Sequence, residues 1–161
     1  MTDTMAEITA AVTQGRAGAP DAARARLQEL WDELGPGGDP FYRCVLAHYQ
    51  ADLFADPAEA LVWDVRALDA AATVTDEHVQ AHDAGLRIAG FYPSLHLNLA
   101  DNFRRLGSFS AAAEQLAAAR ACQDALADDG YGAMLRQAID GVAEAIERRS
   151  TERRATAPGV G

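Results

Sequence analysis

An all-α fold, with about eight antiparallel helices stacked in pairs as an α-α superhelix, is what this sequence predicts. Three observations lead there. The 161 residues are 49% hydrophobic but only 7% aromatic, and much of the apolar content is alanine. That composition favours thin layers of closely spaced helices over a thick sandwich of sheets. β-branched residues are scarce and scattered, and no run of them reads as a strand. Glycine and proline cut the chain into segments whose apolar residues recur at helical spacing.

The segments follow in order. The first runs from Thr4 to about Gln14 and stops at Gly15 and Gly18. Pro20 and Asp21 start a second, Asp21 to Leu34, with Leu27, Leu30, Trp31 and Leu34 as its apolar stripe. The stretch GPGGDP (Gly35 to Pro40) is the strongest breaker and reads as a loop, because the helices beside it are too short to stand alone. Phe41 to Phe54 is the third helix and Pro57 to Ala72 the fourth, with Pro57 in the first turn. Thr75 and Asp76 cap a fifth, running to about Ala89. Gly90 and Pro93 separate it from a sixth, Ser94 to Leu106. Ser110 caps a seventh, to about Ala127, and DDGYG (Asp128 to Gly132) turns into an eighth ending near Arg149. The eighth carries Met134, Leu135, Ile139, Val142 and Ile146 on one side, a face suited to capping the stack or pairing two copies. Residues 1–150 read as one helical domain and 151–161 as a disordered tail.

Charge narrows the classes of partner. A formal net charge of −10 and a pI near 4.7 lack the basic face that nucleic acid or an anionic membrane requires, and they suit a basic or apolar protein partner. All basic residues are arginine, which coding bias explains most simply. Cys44 and Cys122 are too few for a disulfide framework and read as reduced thiols. The N-terminal stretch has acidic Asp3 and Glu7 and no basic flank to an apolar core, and no segment is long and apolar enough to span a bilayer. Together these imply a cytoplasmic protein. Arg148, Arg149, Arg153 and Arg154 against Glu152 give the chain end a local charge of +3. It reads either as favourable charge at a helix C-terminus with a solubilising tail, or as a segment that lies in an acidic groove until a partner displaces it.

A repeat is visible. Gly107, Ala112, Leu116 and Ala119 share their offsets with Gly18, Ala23, Leu27 and Leu30, and with Ala55, Ala60, Asp64 and Ala67, where Asp64 breaks the pattern. Gly18 and Ala55 lie 37 residues apart, close to the roughly 34-residue period of a helix-turn-helix repeat. His96-x-x-Leu99-Ala100-x-x-Phe103, the turn at Gly107 and Phe109, and then Ala112, Leu116 and Ala119 resemble the tetratricopeptide repeat family over about Ser94 to Asp124, with Asp124 where the family has proline. The pattern from His48 to Asp101 also resembles short actinobacterial repeat proteins. The resemblance implies antiparallel helices nested on small residues at Ala100, Ala112 and Ala119, stacked so that the first helix of each pair lines a concave surface. Ala55 to Gly107 exceeds one period by about 18 residues, so the helix at Thr75 to Ala89 is an irregular extra.

The same resemblance implies that the surface binds a protein or peptide. It places Ser94, Leu97, Asn98, Asp101, Arg104 and Arg105 toward the groove, and from the central copy Tyr42, Val45, Tyr49 and Asp52. Of these, Asn98, Asp101, Arg105, Ser94, Tyr49 and Asp52 are the candidate partner-binding residues. The basic cluster that grips a C-terminal carboxylate in chaperone-binding members is missing. The plainer reading is that these polar side chains only solvate a helix face.

Chemistry has weaker signals. His78 and His82 have metal-binding spacing, yet Val74, Gly85 and Leu86 occupy the neighbouring turns and supply no third ligand. Cys44, His48 and Asp52 share a stripe, but a Cys–His pair four apart on a rigid helix is poorly placed for in-line attack. There is no Gly-rich phosphate loop and no recognisable catalytic carboxylate pair. The sequence therefore points to a non-enzymatic, cofactor-free binding scaffold that could also dimerise through its end helices. A small-molecule-responsive helical regulator, using the extra helix as a lid, is the alternative.

Overall fold

The computed structural model describes residues 3–81 and 87–155, and every regular element among them is helical. The described residues divide into two compact units, one within 3–74 and one within 75–155.

The first unit holds α1 (Thr4–Arg16), α2 (Pro20–Leu34), α3 (Pro40–Ala51) and α4 (Pro57–Ala71). Aspartate caps set three of these starts. Asp3 accepts from the amides of Met5 and Ala6, Asp39 from Phe41 and Tyr42, and Asp56 from Ala58. Pro20, Pro40 and Pro57 occupy first-turn positions, where a missing N–H costs nothing. The helices pair α1 with α2 and α3 with α4, and α3 also packs on both α1 and α2. Buried Gln50 fixes that junction by donating from Nε2 to the Arg24 carbonyl at 3.1 Å, while the Arg24 guanidinium donates to the Leu53 carbonyl at 2.6 Å. Trp63 is buried; Trp31 is half-buried and meets it edge-on, with ring centroids 5.2 Å apart. The Arg43 guanidinium covers the Trp31 ring at 3.9 Å.

The second unit holds α5 (Asp76–Gln80), α6 (Tyr92–Arg105), α7 (Phe109–Cys122) and α8 (Gly130–Glu147), with single 3-10 turns at Ile88–Gly90 and Gln123–Ala125. α6 and α7 form a hairpin, and α8 packs on both. Its core joins Leu97, Ala100, Leu116, Ala119, Leu126, Leu135, Ile139 and Val142.

The repeat register appears directly in the burial pattern. Ala23, Leu27 and Leu30, then Ala60, Asp64 and Ala67, then Ala112, Leu116 and Ala119 are all at most 7% exposed. Even the pattern-breaking Asp64 therefore occupies a core position, at 2% exposure. The turns repeat as well. α1 ends with Gly18 at φ +104° and α6 with Gly107 at φ +78°, a region that costs glycine little. In each case the next residue's amide reaches back five positions, Ala19 to Gln14 and Ser108 to Phe103, and this closes the helix end.

Four expectations need correction. The fifth helix is a single five-residue segment rather than a helix to Ala89, because Asp76 turns its carboxylate to the Ile88 amide at 2.9 Å and Arg87 is extended. Residues 82–86, including His82, lie outside the described residues. The seventh helix starts at Phe109 without a side-chain cap, and ends at Cys122, where a 3-10 turn replaces its expected last turn. Met134 is 56% exposed, so the packed side of α8 is Leu135, Ile139 and Val142. Finally, the chain does not leave the fold at Ser150, since residues 150–154 turn back against α6 and α8.

Candidate peptide-binding faces

Two helices were expected to present a binding face, and the structure treats them differently. On α3, Tyr42, Val45, Tyr49 and Asp52 recur at helical spacing and all are half-buried. Phe41, Leu46 and Ala47 take the core side of the same helix. The stripe thus pairs aromatic and aliphatic area with a terminal carboxylate, and the Arg16 guanidinium sits 5.8 Å from the Tyr49 ring centroid. Burial and nearby Asp39 push the Tyr42 hydroxyl pKa up, so the ring enters any contact as a neutral donor.

The α6 face is largely filled by the chain itself. Ser94 is buried and donates its hydroxyl to the Phe91 carbonyl at 2.9 Å, so it is a first-turn residue and not part of a groove. Leu97 belongs to the core beneath α8. Arg104 is completely buried. Its Nε and Nη2 donate to Asp101 Oδ1 at 2.9 and 2.7 Å, and its Nη1 donates to the carbonyls of Ser150 and Glu152 at 2.7 and 2.8 Å. Asp101 is therefore committed to an ion pair. Asn98 and Arg105 remain half-buried. The family pattern gave α6 its groove residues but carried no sign that the chain end would occupy them. The run of arginines after Glu147 was the one available signal.

The residues considered for chemistry are not arranged for it. Cys44 is buried, and burial pushes its thiol up to about 12. Burial pushes His48 down to about 4. A nucleophilic pair needs the opposite, a lowered thiol and a cationic imidazole beside it. His48 does leave a pH signature. Its folded value lies below its ordinary 6.5, so the unfolded chain takes up the proton first. Stability is full above about pH 6.5 and falls as pH drops toward 4. Melting temperatures measured across that window should fall less for His48→Gln than for the wild type.

A second feature of unit two is a cleft of about 400 Å³ lined by Ala89, Tyr92, His96, Ala118, Cys122 and Asp124 among others. His96 shares a hydrogen bond with Gln115 at 2.9 Å and stacks on Tyr92. Among the described residues no group of three or more His, Cys, Asp or Glu is placed to hold a metal, and no helix is long and apolar enough to cross a membrane. Compared with protein-family models, with curated proteins and with solved structures, the chain matches none of them.

Proposed function

We propose that this protein is a helical-repeat scaffold that holds an extended segment of a protein partner against α3 and does no chemistry of its own. The observation that carries the reading is the α3 stripe, where all four expected positions are half-buried on one face while Phe41, Cys44, Leu46, Ala47 and Gln50 take the core side. The pairing of successive helices supports it, as does a net charge acidic enough to favour basic partners. The half-exposed rings supply area at little entropic cost, and Asp52 supplies orientation. α8 exposes Tyr131 and Met134 and is the helix on which two copies would meet.

Fluorescent twelve-residue peptides of basic-aromatic, neutral and acidic composition test this. The basic-aromatic set should bind, should weaken as salt rises, and should lose roughly tenfold in affinity with Tyr49→Ala. Equal binding of all three sets, or indifference to Tyr49→Ala, would refute it. The α6–α7 cleft favours one other reading, a small-molecule regulator. That reading requires a ligand that raises the melting temperature of the wild type and not of Ala118→Trp.

A further inference from the structure

We infer that the face formed by α6 and α8 is a second peptide-binding site, specific for an extended arginine-bearing segment, and that residues 150–154 of the chain are its resident occupant. This stands apart from the α3 reading and rests on different residues.

Three independent features build the site. The first is Arg104, fully buried with its charge met by Asp101. Its Nη1 donors meet only main-chain carbonyls, those of Ser150 and Glu152. With the segment in place, both Nη1 donors are met by carbonyls spaced two residues apart, a geometry that an extended main chain supplies. Main-chain acceptors carry no side-chain information, and any extended peptide offers them.

The second feature is Gly141. It lies inside α8, where glycine is unfavourable relative to alanine. A Cβ there would fall 2.9 Å from Arg154 Cζ, so the guanidinium end of Arg154 rests against the bare glycine and would have to shift to admit a side chain. The missing side chain is thus a seat for an arginine, and it supplies the selectivity that the carbonyl contacts lack.

The third feature is the turn that delivers the segment. Arg149 adopts φ +52°, the left-handed conformation that Gly18 and Gly107 use at the equivalent helix ends. The Ser150 amide then closes on the Ala145 carbonyl at 3.0 Å. A non-glycine residue is strained there. Stacking of its guanidinium over Phe109 at 4.6 Å compensates.

The occupant shows most of its side chains to solvent. Thr151, Glu152, Arg153 and Ala155 are exposed, and only Ser150 and Arg154 are half-buried. A cleft of about 450 Å³ borders the segment beside Glu144 and Arg148. The anchors are two main-chain carbonyls and one arginine, so a partner's chain of the same kind, with two spaced carbonyls and an arginine after them, can take the segment's place.

The test uses the full-length chain and a fluorescent peptide with the sequence of residues 149–155. In the wild type the resident segment competes at an effective concentration on the order of millimolar, so the free peptide binds weakly. Arg154→Ala unseats the resident segment, and trypsin should then cut the Arg149–Ser150 bond faster. The peptide should bind this variant about tenfold or more tightly than the wild type. A peptide with alanine at the Arg154 position should not show the gain. Gly141→Ala fills the seat, so it should free the segment without improving peptide affinity. Faster cleavage in Arg154→Ala without tighter binding overturns the inference, because the segment would then be a fixed part of the fold. Unchanged cleavage overturns it too, since Arg154 would not be an anchor.

Discussion

Arg104→Ala should lower the unfolding free energy by about 3–5 kcal/mol, the largest loss expected from a single side chain here. The guanidinium has no exposed surface and four of its N–H contacts are made, two to Asp101 and two to carbonyls beyond α8. Truncation removes the cation but leaves a carboxylate that is only 18% exposed, together with two carbonyls that have lost their donor. The penalty is mostly that of stranding the partners, and not the net value of the pair. Arg104→Met with Asp101→Leu, which removes both charges and keeps the volume, should therefore recover much of the loss. Urea unfolding followed by circular dichroism gives both numbers. A loss below about 1 kcal/mol for Arg104→Ala would show that the guanidinium is solvated and the tail free, since exposed pairs contribute that little.

Leu27→Ala and Leu116→Ala should each cost about 2–5 kcal/mol, because both leave a void in a helix pair built to close contact. The two leucines hold the same offset from Gly18 and from Gly107, and they are 0% and 7% exposed. Their neighbours in the register, Ala23 and Ala112, have no measurable exposure. These alanines set the separation of the helices, so the surroundings have little freedom to collapse into the gap. The conservative changes Leu27→Met and Leu116→Met should cost less than about 1.5 kcal/mol. If the alanine variants matched the methionine variants, the shared register would not describe the packing.

Much of the helical frame was legible because its signals are local. Asp39, Asp56, Thr75 and Asp129 cap through their own side chains, and Pro20, Pro40 and Pro57 mark first turns. Gly18 and Gly107 announce left-handed helix ends. The α3 stripe was legible for the same reason, since helical spacing alone decides which residues share its face. What escaped notice depends on contacts distant in sequence. The fate of the fifth segment turns on Asp76 reaching Ile88, and nothing in its composition separates a helix-capping aspartate from one that ties down a return. Arg104 looked like a solvent-facing groove residue because its acceptors lie 46 and 48 positions away. In the sequence Met134 groups with Leu135, Ile139 and Val142 on one side of the eighth helix, because an apolar residue beside a buried stripe carries no mark of which side it takes.

If the scaffold works as proposed, α3 offers its half-buried stripe to an extended partner. Amide NMR shifts of the full-length chain, recorded as a basic-aromatic peptide is added, test it most directly. Shifts should concentrate at Tyr42, Val45, Tyr49 and Asp52, with α4's exposed Val62 and Val65 unmoved. Shifts that leave α3 untouched and gather around the cleft at His96 and Cys122 would contradict it.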